Sequence, residues 1–303
     1  MSSFILLFGC LLLGIFLRRL PDFPRNSPQV LNQFIIYISM PALALYFIPE
    51  IKLNSAVLLP VAVGWICFAG AVLLFWSLGK ALGWSRKLIG CFILTAGFGN
   101  TSFIGFPVIE AVYGKTGLQT AILIDQPGTF MVLSTLGITL AAYFSSGQGK
   151  GSTIFSRIIK FPPFLMFVLA LAMNLVGWHF SPEIKDVLQR LGNTVSPLAL
   201  VSVGMQLTLE RRSKHWGFLA LGLAYQLILA PLLILVLYVP VLGQHGQTVQ
   251  VCVLEAAMAP MITASIVASS YGLKPRLANM MVGIGIPVSI LTLTVWYWLV
   301  QGI

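Results

Sequence analysis

Charge is what this sequence has little of. Of its 303 residues only 9% are Asp, Glu, Lys or Arg, against about a quarter in a soluble domain. Hydrophobic residues make up 58% and the mean hydropathy is +0.93. Those values exclude a soluble globular chain and describe a polytopic membrane protein, one membrane unit rather than several soluble domains. Enzyme motifs are missing too: there is no HExxH, no GxSxG and no close carboxylate pair. Cys10, Cys67, Cys91 and Cys252 stand apart in apolar stretches without a CxxC pair, so they imply neither a disulfide nor a metal site. His179, His215 and His245 fall at the ends of apolar stretches, which argues against a buried proton relay. The net charge of +10 forms no basic patch interleaved with aromatics, so nucleic acid is not an expected partner. It fits the Lys and Arg of short cytoplasmic loops instead. Phe4 to Leu17 lacks the flanks of a signal peptide and reads as a first span running up to Arg18-Arg19, with the N-terminus outside.

What the sequence does have is long apolar runs. Ten reach toward the length of about 20 residues that a membrane helix needs. They lie at roughly 3–17, 29–48, 56–79, 88–113, 118–144, 162–180, 187–209, 216–239, 248–271 and 277–300. The loops between them alternate in charge. Odd-numbered loops hold fourteen of the eighteen basic residues: Arg18, Arg19, Arg25, Lys80, Arg86, Lys87, Lys150, Arg157, Lys160, Arg211, Arg212, Lys214, Lys274 and Arg276. Only Lys52, Lys115, Lys185 and Arg190 face the other way. The odd loops are therefore expected in the cytoplasm and both termini outside. Trp84, Trp178, Trp216, Trp296 and Trp298 fall near span ends, where interfacial belts form.

The runs divide into two sets of five with features in the same order. The second carries SMPALAL with Pro41, and the seventh carries VSPLALV with Pro197. Pro107 interrupts the fourth and Pro260 the ninth; these two end in Tyr113-Gly114 and Tyr271-Gly272. A five-span unit re-enters the membrane from the opposite face, so the expected fold is all-α, with ten transmembrane helices in two inverted repeats. Residues 1–146 form the first repeat, 147–153 (GQGKGST) a flexible cytoplasmic linker and 154–303 the second.

Matched interruptions are the best sequence pointer to a transport site. Broken helices survive at membrane depth only where buried in protein or lining a wet cavity. There, half-helix N-termini attract anions and half-helix C-termini suit cations. In the fourth run the break centres on Gly99 to Ser102, with Asn100 able to bridge exposed backbone. In the ninth, Pro260 removes a donor while Thr263 and Ser265 supply hydroxyls. Asn100, Thr101, Ser102, Pro107, Pro260, Thr263 and Ser265 are thus the candidate substrate-binding residues. No Lys or Arg lies deep in a span, so an anion is expected on helix ends, amides and hydroxyls.

Two carboxylates, Asp125 and Glu255, lie inside runs. Each costs several kcal/mol unless protonated, hydrated or bound to a cation, about 3 on insertion scales. Glu255 stands five residues before Pro260, within reach of carbonyls freed by the break. Asp125 precedes Gln126-Pro127-Gly128, with Thr129 one turn on, and the alternative for it is an interfacial side chain snorkelling outward. Gln206, Gln226 and Asn193-Thr194 fit interhelical hydrogen bonding, Asn193-Thr194 equally a lining role.

GNTSFIGFPVIEAVYG at 99–114 resembles the fourth-span pattern of the auxin efflux carrier (PIN-like) family, and Pro260 with SSYGLKPRLA is similar to its ninth span. The resemblance covers the whole chain in span number, orientation and break positions. It implies that helices 4 and 9 cross, that spans 3–5 and 8–10 form a transport domain, and that spans 1, 2, 6 and 7 form a scaffold, often dimeric. It implies transport of organic anions, auxin in plants and dicarboxylates such as malate or malonate in bacteria. Gly99, where plant carriers have proline, and the short linker favour a bacterial-type permease in the inner membrane. Glu255 with Met258 is more loosely similar to the acidic ninth-span segment of sodium–bile acid symporters. In that likeness Asn100, Thr101 and Thr129 complete a sodium site, so sodium stands beside protons as the coupling ion of Glu255, Asp125 and Thr129. No resident cofactor or metal is expected. The expected partners are a small organic anion, the lipid bilayer and a second copy of the chain. The functional expectation is a secondary transporter of small mono- or dicarboxylates, not an enzyme, with a bile-acid-type symporter, a channel or a receptor of the same fold as alternatives.

Overall fold

The computed structural model describes residues 2–51, 57–145, 162–206 and 216–303. The linker 147–153 lies outside them, as do the basic residues between 150 and 160 and between 211 and 214. Among the described residues there is no strand, and the single β-type contact is an isolated bridge. The helices are α1 (Ser2–Leu17), α2 (Ser27–Glu50), α3 (Leu58–Ala81), α4 (Arg86–Ala96) and α5 (Thr101–Ser145). They continue with α6 (Pro162–Val176), α7 (Pro182–Gly192), α8 (Val195–Gln206), α9 (Trp216–Val241), α10 (Gln247–Ala256), α11 (Ile262–Ser270) and α12 (Pro275–Val300). Five of these, α2, α3, α5, α9 and α12, are long and apolar enough to cross a bilayer, and α1 and α6 contain shorter apolar stretches. The chain is an all-helical, polytopic membrane protein.

The helices fall into two groups, which meet where α5 packs on α1 and α8. In the first, α1 lies along α8, and α2 packs on α6, α7 and α8. The α1–α8 crossing is close because both partners are glycine there. A Cβ on Gly14 would collide with the Val201 carbonyl and Gly204 Cα, and one on Gly204 with the Leu11 carbonyl and Gly14 Cα. The C-terminal end of α2 is tied down by Asn174 Nδ2, which donates to the carbonyls of Ile48 (2.8 Å), Pro49 (3.1 Å) and Ile51 (2.7 Å). Those carbonyls would otherwise be the orphan acceptors of a helix C-terminus.

The second group holds α3, α4, α5 and α9 to α12. Gly64 of α3 lets the backbone of Gly128 and Thr129 approach to contact distance. Tyr225 Oη donates to the Cys67 carbonyl (2.5 Å), and Tyr238 Oη to that of Leu59 (2.6 Å), so α9 is pinned to α3 at two levels. Phe75 stacks on Phe92 with 4.6 Å between ring centroids. Trp296 is buried, and its indole N–H donates to Leu227 O (2.8 Å). It is a tie between α12 and α9, not a member of the interfacial belt expected from its position.

Two local expectations are corrected. The seventh apolar run does not begin at 187 in one piece: helix starts at Pro182, ends at Gly192, and resumes at Val195. Ser181-Pro182 is a helix start, and the first piece carries Glu183, Lys185, Asp186 and Arg190, too many charges for a membrane-spanning segment. The fourth and fifth runs part at Gly114 as expected, its φ of 65° and ψ of −158° being non-helical and suited to glycine. Pro107 does not interrupt the fourth run. It lies inside helix just after a π-turn at Thr101–Gly105, and the widened turn absorbs the missing proline donor.

Candidate functional site at the helix crossing

The breaks themselves lie at 97–100, between α4 and α5, and at 257–261, between α10 and α11. They meet. Gly99 and Pro260 form an antiparallel bridge in which Asn100 N–H donates to Ala259 O (2.7 Å) and Met261 N–H to Phe98 O (2.9 Å). Each break thereby satisfies backbone groups that the other exposes, which is how irregular backbone persists at membrane depth. Gly99 is needed for the approach, since a Cβ there would press on the Glu255 carbonyl and the Gln226 amide. Gly285 of α12 leaves room for the Pro260 ring. Gln226, expected as interhelical glue, spans the second break: its Nε2 donates to Met258 O (3.0 Å) and Ala256 O (3.3 Å).

Asn100 does bridge the exposed backbone, its Oδ1 accepting from Phe103 N–H (3.1 Å) as the N-cap of the helix that follows. Its Nδ2 is buried and has no acceptor among the described residues. Thr101 and Ser102 both donate their hydroxyls to Asp125 Oδ1 at 2.6 Å, and Gln126 Nε2 donates to Oδ2 at 2.9 Å. Asp125 is fully buried. It does not snorkel: it closes the N-terminal end of α5 from within the same chain, where the dipole and free N–H groups favour a carboxylate. Thr129 donates to Ile124 O of its own helix (3.3 Å) and makes no bond to either carboxylate.

Glu255 is the opposite case. It is 0% exposed, and neither carboxylate oxygen has a partner among the described residues. Its carboxylate lies directly against Gly105, where any Cβ would collide with both oxygens. Asp125 is within electrostatic reach of it. In α11, Ser265 donates to Ala278 O (3.1 Å), and Thr263 is half-buried with no hydrogen-bond partner among the described residues.

Two cavities lie between the helix groups. The larger, about 860 Å³, is walled by the α1–α2 connection, α8, α11 and α12. Arg18, Arg25, Gln29, Gln206, Ser265, Asn279 and Gly283 are in its lining, and no described acidic residue is. The arginines, counted in the sequence only as loop charges, face this space because the α1–α2 connection folds over it. The smaller, about 320 Å³, is almost wholly apolar and lies between α1, α8, the first limb of α5 and α12. Near it Ser196 of α8 donates to Glu110 of α5 (2.8 Å), joining the two groups. Among the described residues no cluster of three His, Cys, Asp or Glu side chains could hold a metal ion.

A buried crossing of two broken helices, beside a cavity of about 860 Å³ walled by cationic and amide side chains, is the kind of site a membrane transport protein uses. The chain belongs to the membrane transport protein family that includes the auxin efflux carriers, matching it over residues 1–149 and 151–297. It is 30% identical to an uncharacterized transporter of Methanothermobacter thermautotrophicus over 297 residues, 94% of this chain and 93% of the relative. It is 24% identical over 308 residues to a proposed malonate transporter of Rhizobium meliloti, covering 97% and 94%. With auxin efflux carrier component 5 of Arabidopsis thaliana it shares 21% over 322 residues, covering 91% and 89%.

Proposed function

We propose that this protein is a secondary carrier of small organic anions, mono- or dicarboxylates, working by alternating access of elevator type. The hydrogen-bonded crossing at Gly99 and Pro260 carries this reading. It makes α4, α5, α10 and α11 one unit, able to move together with any ligand held at the crossing. The rest of the architecture follows as proposed from sequence: ten spans, two inverted repeats, and a linker at 147–153. α1, α2, α6, α7 and α8 serve as the scaffold, and α3 to α5 with α9 to α12 as the moving domain. The glycine-locked pair α1–α8 supports the first assignment. The protein sits in a bacterial inner membrane with both termini outside, so the larger cavity, beside Arg18 and Arg25, opens to the cytoplasm. Its cationic and amide lining, without an acidic residue among the described residues, favours anions.

Glu255 is the coupling group in this reading. A buried carboxylate with no donor is stable only when protonated or bound to a cation, and two carboxylates in electrostatic reach are not both ionised without one. H+ or Na+ supplies that charge. Asp125, already holding three donors, is the fixed member of the pair. The test uses purified protein in liposomes with a sudden step of malonate, malate or indole-3-acetate, at two pH values, with and without sodium. Uptake of at least one acid that depends on pH or sodium is the expected result, and Glu255→Gln uncouples it. A unitary current far above carrier turnover would instead make the protein a channel.

A further inference from the structure

The smaller cavity takes no part in the anion reading, and its chemistry points elsewhere. Ile104 of α5, Leu200 and Val203 of α8 and Leu254 of α10 form its buried floor. Ser289 and Thr294 of α12 belong to the lining, but their hydroxyls are spent within their own helix, on Ile286 O (2.7 Å) and Ile290 O (2.9 Å). No described residue of the lining is charged. A buried water needs about two to four polar partners, and a buried carboxylate needs a cation or several donors. This floor offers neither. Left empty, a space of about 320 Å³ deprives the atoms around it of van der Waals partners on one side. Its natural occupant is therefore apolar.

The position of the cavity says which apolar molecule is at hand. Its lining includes Phe8 of α1 and Trp298 of α12, which are 47% and 69% exposed and so mark its mouth. Ile5 and Leu12 stand about one turn either side of Phe8, and Leu291 and Val295 share a helix face with Trp298; all four are exposed. A mouth open to water would carry polar side chains, whereas a continuous apolar surface on a polytopic membrane protein faces hydrocarbon. Along α12 the lining runs from Ile286 to Trp298, twelve residues, or about 18 Å at about 1.5 Å per residue. One leaflet contributes about 15 Å, half of a hydrocarbon core about 30 Å thick. Tyr297 and Trp298 end the run, as aromatic side chains do where the core meets the headgroups. We propose that this cavity is a lipid site, taking one acyl chain of a phospholipid from the leaflet at which α12 ends, with its tip at Ile104 and Leu254. Its walls come from both helix groups, α1 and α8 on one side and α5, α10 and α12 on the other, so the chain is held between them. The site stands whether or not the protein is a carrier. In the proposed cycle, the chain would have to leave before this side opens.

The test asks whether a lipid tail reaches residues that surrounding lipid cannot. The purified full chain is placed in phosphatidylcholine nanodiscs, with a small fraction of the phosphatidylcholine carrying a diazirine at the end of one tail. After irradiation, adducts are located by peptide mass spectrometry. Wild type is expected to be labelled at Ile104 and Leu254, only 6% and 2% exposed, as well as at Leu291, which any surrounding lipid touches. Val251, buried on α10 but outside the lining, stays unlabelled. Val108→Trp fills the cavity from α5 and should lower labelling of the floor at least tenfold while leaving Leu291 unchanged. Thr294→Trp does the same from α12 should the first variant not fold. Label at Leu291 with none at Ile104 or Leu254 in wild type overturns the site. So does floor labelling that a folded cavity-filling variant leaves unchanged, or label at Val251 equal to that at Leu254. A second copy of the chain seated over the mouth would remove label from Leu291 and the floor together, which also overturns it.

Discussion

Asp125 and Glu255 are the same kind of side chain at the same kind of depth, and their surroundings separate them. Asp125 accepts three hydrogen bonds, and Glu255 accepts none. Replacing each carboxylate by its amide should therefore have opposite costs. Asp125→Asn puts an NH2 among three donors, so one buried donor loses its acceptor and stability falls by about 1–3 kcal/mol. Glu255→Gln removes a group that has no donors to lose, and its cost should stay under about 1 kcal/mol, while dependence of transport on pH or sodium disappears. Thermal unfolding of both variants in detergent, beside the liposome assay, checks the pair. Equal stability losses would mean that Glu255 has a structural partner after all. Gly105→Ala offers an independent approach from the facing helix. Its Cβ would occupy the space of the Glu255 carboxylate, so it should abolish coupled uptake as Glu255→Gln does, although the carboxylate itself is intact.

The elements divide by how they are held. Breaks at 97–100 and 257–261 are stitched to each other, whereas α1 and α8 are held by bare backbone contact at Gly14 and Gly204. Gly14→Val should thus be among the most damaging substitutions outside the crossing. Overpacking costs about 1–3 kcal/mol where side chains can shift. Here the obstacles are the Val201 carbonyl and Gly204 Cα, which cannot, so the loss should lie at or above the top of that range. A midpoint of unfolding within one degree of wild type would show that α1 and α8 are not locked together. This also marks what the sequence could and could not show. The breaks were legible because Gly97-Phe-Gly-Asn100 and Ala259-Pro260 violate helical propensity locally. Pro107 looked like a break for the same local reason, but a π-turn ending two residues earlier absorbs it. The partners of Asp125 lie 23 and 24 residues away across a helix bend, and Gly14 meets Gly204 from the far side of the chain. No local pattern encodes such meetings, and so an interfacial role for Asp125 stayed open. Arg18 and Arg25 were read correctly as loop charges, yet only the folded α1–α2 connection turns them toward a cavity.

At the scale of the whole molecule the asymmetry lies between two cavities on the boundary of the two helix groups. The space beside Arg18 and Arg25 is large and polar, while the apolar one near Glu110 is small. Alternating access requires that the second enlarge as the first closes. The Ser196–Glu110 hydrogen bond crosses the boundary beside the small cavity, so in the proposed alternating-access cycle it would hold only while that side is shut and would help to keep it shut. Removing a hydrogen bond to a charged group typically forfeits about 1.5–3 kcal/mol, and a partly hydrated one nearer 1, which is about fivefold in the balance of two states. Ser196→Ala should shift the population toward the state closed beside the arginines. Reporter cysteines read this directly. Asn279→Cys, in the lining of the large cavity, should react more slowly with a polar thiol reagent in the Ser196→Ala background, and Val112→Cys, in the small one, should react faster. The buried native thiols Cys67, Cys91 and Cys252 give little background, and Cys10→Ser removes the remaining partly exposed one. Rates that move in opposite directions at the two reporters require a coupled movement of the helix groups. Rates unchanged at both would leave the serine–glutamate bond a local tie and remove this latch from the mechanism.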